Sequence, residues 1–169
     1  MPPYPKSKQA KRPEKPDDAP PKFKVSADHV ALAVLHHFQT TSRMGYAVAA
    51  SEVELHGGRR VDLLLLRFSK HPIAVEIKVS RSDWLAEIRE PEKHREARLF
   101  AGQLYVAAPS GVVEEHELPS GVGLIEVSVL TKRAKVIVKA ERNSPEPLGW
   151  WQASRIANGV LRAAERGIV

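Results

Sequence analysis

The chain has 169 residues, with 26 Lys and Arg against 20 Asp and Glu, no Cys and 43% hydrophobic residues. This is the profile of one folded domain with enough apolar material for a core, and the lack of Cys excludes disulfide scaffolds and thiolate zinc sites. No apolar run approaches the roughly 20 residues of a membrane span and the N-terminus has no apolar h-region, so the expected setting is a reducing cytoplasm with no membrane partner.

The net charge of +6 is unevenly spread: residues 1–24 hold seven Lys and Arg, three acids and seven of the 13 prolines. That composition predicts a disordered basic, Pro-rich arm ahead of one folded domain over 25–169. The arm either solubilises the protein or adds a salt-dependent attraction to nucleic-acid phosphates.

From Ser26 or Asp28 as a cap, Val30, Ala33, Val34, His37 and Phe38 recur with helical spacing. Residues 46–55 then alternate as a strand, with Tyr46, Val48, Ala50, Glu52 and Glu54 on one face. After the turn at 56–58, residues 59–68 form a strand carrying Val61, Leu63 and Leu65 on one side and Asp62, Leu64 and Leu66 on the other. A third strand over 73–79 has Ile73, Val75, Ile77 and Val79 on one face, and Ala74, Glu76 and Lys78 on the other.

Ser82 and Asp83 can cap a helix reaching 89, and Pro91 suits the first turn of a second helical piece that ends before Gly102. A short apolar strand over 103–108, a loop to Gly123 and a hairpin of 124–130 with 134–140 follow. The last helix, Trp150–Glu165, offers Ile156, Val160, Leu161 and Ala164 to an apolar neighbour. The sum is an α/β fold, a mixed sheet flanked by helices.

Three charged groups stand in apolar strands: Asp62, Glu76 and Lys78. An unpaired buried charge costs several kcal/mol or neutralises itself. If 59–68 and 73–79 form an antiparallel hairpin centred near 69 or 70, Asp62 lies opposite 76–78. Two carboxylates about 4 Å apart repel by roughly 4 kcal/mol at an effective dielectric near 20, so the pair calls for a cation, and an oxygen-liganded ion such as Mg²⁺ suits it. The plainer alternative is a salt bridge on a sheet surface, against which stand the apolar flanks on both faces.

Asp62, thirteen residues, then Glu76-Ile77-Lys78 on adjacent strands resembles the PD-(D/E)xK nuclease superfamily, with Val61 where its signature has Pro. Further matches at Gly58-Arg59-Arg60-Val61-Asp62, Tyr105-Val106-Ala107-Ala108-Pro109 and Gly123-Leu124-Ile125 resemble its MmcB-like DNA-repair branch over residues 46–130. The resemblance implies a restriction-endonuclease-like sheet and a DNA-cleaving hydrolase. Asp62, Glu76 and the Ile77 carbonyl would hold Mg²⁺, for which Mn²⁺ can substitute, and Lys78 would act on the attacking water. A further acid is expected at Glu52, with Glu54 and Asp28 as alternatives for that place.

Arg59, Arg60, Arg81 and Lys93 are the candidates for phosphate contact, with a solvated surface charge the alternative for each. Trp84, Trp150 and Trp151 are either base-stacking or core residues. DNA is the implied partner, and a homodimer or a partner repair protein is left open. The alternative function is a catalytically silent nuclease fold that binds DNA for another protein.

Overall fold

A computed structural model describes residues 25–41, 47–55, 58–67, 70–90 and 92–168, without the side chains of 47, 67, 70, 92 and 93. The Pro-rich arm over 1–24 lies outside the described residues. One six-stranded sheet runs in sequence order: β1 (Ala47–Glu54), β2 (Arg60–Arg67), β3 (Lys70–Ile77), β4 (Gln103–Pro109), β5 (Gly123–Val127) and β6 (Ala134–Val138). The first three strands form an antiparallel meander; β3, β4 and β5 are parallel, and β6 returns antiparallel. Parallel pairing needs a crossover, which α2 (Arg81–Glu87) and α3 (Glu92–Phe100) supply between β3 and β4.

Both faces of the central strands are covered, which is why β2 and β4 read as nearly continuous apolar runs. On one face α1 (Ala27–Thr41) lays Val30, Val34, Leu35 and Phe38 over Leu63, Leu65, Ile73, Val75, Tyr105 and Ile125. On the other, Leu64, Ala74, Leu104, Val106 and Leu124 meet Trp84 of α2, Ala97 of α3 and Ala101 just past its end. The α1 start is capped by Ser26, whose hydroxyl accepts the His29 amide at 3.3 Å. For α2 the cap is Ser80, accepting from the Asp83 amide at 3.2 Å, two residues ahead of the position the sequence suggests. Among the described residues, no helix is long and apolar enough to cross a membrane.

The edge strand β1 departs from simple alternation. Ser51 pairs with Leu63 and Val53 with Val61, while Glu52 between them takes a left-handed φ of 51°. The alternation therefore breaks, so that Ala50 and Val53, rather than Ala50 and Glu52, enter the same core, and Val61 follows Val53 into it. Such a backbone costs on the order of 1–3 kcal/mol unless its surroundings hold it. Here they do: Arg162 of α4 (Trp150–Glu165) donates to the Ser51 carbonyl at 3.3 Å and to the Glu52 carbonyl at 2.7 Å.

The same seam corrects the expected apolar stripe of α4. Its buried residues are Ile156, Gly159 and Ala163, whereas Leu161 is 64% exposed and Ala164 faces solvent. Close approach selects small residues, since a Cβ on Gly159 would stand 2.9 Å from Val53 Cγ2 and 3.0 Å from the Ser51 carbonyl oxygen.

Candidate active site

Period-two alternation puts Glu76 and Lys78 on the same face as Ala74, the face roofed by α2 and α3. Leu63 lies opposite Val75 in the β2–β3 ladder, so Asp62 on the next step out is the neighbour of Glu76. Past that pair the Asp62 side chain replaces ladder pairing, its Oδ2 accepting the Ile77 amide at 2.8 Å. The Lys78 amide donates to the Ala107 carbonyl at 3.0 Å, which holds this end of the strand against β4.

Lys78 Nζ lies 3.2 Å from Glu87 Oε2 and 3.9 Å from Glu76 Oε2, and all three side chains are mostly buried. Two carboxylates thus share one ammonium, with Asp62 beside Glu76. The consequence falls on Glu76, whose carboxyl is pushed up to about 8 by burial and then by the negative charge of Asp62, with Lys78 only partly opposing. Glu76 is thus the member of the cluster whose negative charge is most disfavoured, and its carboxyl lies within hydrogen-bonding reach of Asp62.

These groups open on a cleft of ≈ 350 Å³, lined also by Leu55, Arg59, Arg60 and Ala97. A larger space of ≈ 430 Å³ beside Arg98 and Asn143 is a structural joint, where Arg98 donates to the Ser120 carbonyl at 2.8 Å and Asn143 to the Arg98 carbonyl at 3.0 Å. Among the described residues, no group of three or more His, Cys, Asp or Glu is disposed to hold a metal ion. The donor set in the cleft is instead two carboxylates, Asp62 and Glu76, because Glu87 is engaged by Lys78. Two carboxylates with water completing the shell match the habit of Mg²⁺, which dehydrates reluctantly.

The structure brings Asp62, Glu76 and Lys78 together, with Arg59 and Arg60 at the same cleft. It does not bring Glu52 there. Glu52 pairs with Arg60 at 3.3 Å and Arg166 at 3.5 Å, Glu54 with Arg155 at 2.7 Å, and Asp28 with Arg166. All three acids considered for that place are thus held by arginines, one on α4 (Arg155) and one at its C-terminal cap (Arg166) among them. Arg81 also lies apart from the cleft lining, pairing with Glu117 and donating to the Val112 carbonyl at 3.0 Å. That pairing, with a hydrogen bond from Trp84 Nε1 at 2.9 Å, holds the Glu117 carboxyl down to about 2 and ties α2 to the loop before β5. Lys93 is on α3, its side chain outside the described residues. Arg59 reaches Glu96 at 3.8 Å, yet its Nη1 is buried with no hydrogen-bond partner, an unspent cationic donor in the cleft.

Glu87 is the residue that sequence reasoning missed. Its signal was available: it follows Trp84 by three positions, so a helix that buries Trp84 also turns Glu87 inward.

An α/β protein with a mixed six-stranded sheet, consistent with restriction-endonuclease-like architecture and with an acid, acid, lysine cleft at the β2–β3 end, is the class that fold and site define. The chain matches the model of the MmcB-like DNA repair proteins over residues 19–145 and belongs to that family. Its fold is similar to that of the SPO1766 protein of unknown function from Silicibacter pomeroyi, at 18% identity and a TM-score of 0.61, over 85% of this chain and 90% of that one. No curated protein matches the chain.

Proposed function

We propose that this chain hydrolyses DNA phosphodiester bonds with Mg²⁺ or Mn²⁺ as a PD-(D/E)xK nuclease, in the repair role of its family. The observation that carries the reading is the convergence of Asp62, Glu76 and Lys78 from adjacent strands on one cleft. Asp62 and Glu76 would hold the ion, with the Ile77 carbonyl as a further oxygen. Bound there, a divalent ion supplies Lewis acidity at a phosphodiester oxygen and a water of lowered pKa. Glu76 must first give up the proton it holds up to about pH 8, so ion binding and deprotonation are coupled.

Lys78 is restrained by Glu76 and Glu87 on either side, which fixes where its charge sits. From that place it orients the attacking water and stabilises the negative charge that develops at phosphorus. Arg59, with its unpartnered Nη1, and the exposed Arg60 bind the flanking phosphates.

The test is a cleavage panel on single-stranded, nicked, flapped and branched DNA with Mg²⁺ and Mn²⁺, comparing wild type with Lys78→Ala. Cleavage that Lys78→Ala abolishes supports the reading, and no cleavage of any substrate sinks it. One observation favours a second reading, a silent nuclease fold that holds DNA for a partner: the lysine is already taken up by two carboxylates. Salt-dependent DNA binding that survives Asp62→Ala and Lys78→Ala, without cleavage, would establish that one.

A further inference from the structure

Beside the cleft the protein surface is apolar. Leu99 and Leu148 are exposed, and Trp150 is 90% exposed. Leu55 lines both the cleft and a groove of ≈ 240 Å³ walled by Leu99, Phe100, Pro147 and Leu148. Glu96, another groove residue, is the ion-pair partner of Arg59 in the cleft. The two spaces are therefore neighbours that share a wall. Trp150 opens α4 between Leu148 and Gln152, both of which line the groove.

We infer that this groove, with Trp150 at its lip, is a stacking site for unpaired bases of the DNA strand that enters the cleft. The inference rests on the cleft being where DNA binds. Charge decides which part of the strand goes where. Glu96 and Glu146 in the groove repel phosphates, while Arg59 and Arg60 at the cleft attract them. A strand tracking the arginines turns its bases toward Leu99 and Trp150, where they bury apolar ring surface. Duplex DNA cannot present its bases in this way without unpairing them. The substrate class is therefore DNA with unpaired nucleotides beside the scissile bond, and since every base has a π-face the site is tolerant of sequence.

The test uses the full chain in metal-free buffer, following tryptophan emission during titration with a deoxythymidine oligonucleotide or with duplex of equal length. The single strand should quench the emission and the duplex should not. Trp150→Phe should keep single-strand affinity, whereas Trp150→Ala should weaken it by about tenfold and remove most of the quenching, at unchanged melting temperature and duplex affinity. Equal quenching by duplex, or single-strand affinity unchanged in Trp150→Ala, overturns the inference. So does a free protein whose Trp150 emission is shielded from acrylamide, or a dimer that Trp150→Ala dissociates, because the groove would then be covered by protein. Cleavage without quenching overturns this inference alone, and quenching without cleavage overturns the nuclease reading alone.

Discussion

Two regions of this molecule gather charged side chains, and they do so on opposite terms. Along the seam between α4 and β1, each acid has an arginine: Asp28 with Arg166, Glu52 with Arg60 and Arg166, Glu54 with Arg155. These pairs lie partly in solvent, and no acid among them is without a cation. At the β2–β3 end, Asp62, Glu76 and Glu87 have one mostly buried lysine among them, and Glu76 answers by holding a proton to about pH 8. A balanced seam holds a helix in place. An unbalanced cluster leaves Glu76 in an environment that penalises its negative charge.

The contrast breaks most sharply in catalysis. Lys78→Ala should lower the cleavage rate by about 10²–10⁴-fold, the range for loss of a group acting on a proton or charge in the transition state, while Glu54→Gln in the seam should leave it within about twofold. Initial rates on one substrate suffice, and equal losses in the two variants would erase the distinction.

The next effect is on stability against pH. A carboxyl whose folded value is raised binds more protons in the folded state than in the unfolded one between 4.5 and about 8. Stability from this group is therefore highest below its ordinary value and falls as pH rises through about 8. Glu76→Gln should remove that fall, raising the melting temperature near pH 9 by an amount worth on the order of a few kcal/mol. Mg²⁺ should stabilise the wild type at the same pH but not Asp62→Ala. A wild-type melting temperature that does not fall between about pH 6 and 9 relative to Glu76→Gln would remove the charge excess from the account.

A smaller effect sharpens the seam. In an exposed helix, Gly→Ala stabilises by about 1 kcal/mol. At Gly159 the sign should reverse, with a loss of about 1–3 kcal/mol in urea titrations, because the new Cβ meets Val53 and the Ser51 carbonyl. Smallest of all, Arg155→Ala should cost no more than about 1 kcal/mol, as exposed ion pairs do. A larger loss would show that the seam depends on its charges rather than on close packing.

Much of this was legible beforehand. The alternation through Ala74, Glu76 and Lys78, and the short connection from β2 to β3, placed Asp62 opposite 76–78, and the register of Leu63 with Val75 then set it beside Glu76. The helix and strand order was readable for the same reason, since each element announces its own period. The reading of Glu52 went astray because alternation holds only while φ stays extended, and the turn to 51° at that residue is supported by Arg162, over a hundred positions away. Arg81 likewise looked like a phosphate contact until Glu117 claimed it.

By itself the sequence determined the order and periods of the elements and the candidate acid, acid, lysine triad, because these depend on neighbours one to four residues apart or across one tight hairpin. The tertiary structure decided which other charges join or leave that triad. Glu87 came in when α2 docked through Trp84, and Asp28, Glu52 and Glu54 were taken by arginines when α4 settled on β1. A charge is neutralised by whatever lies within a few ångströms of it, and for residues far apart in the chain that distance exists only once the helices have packed.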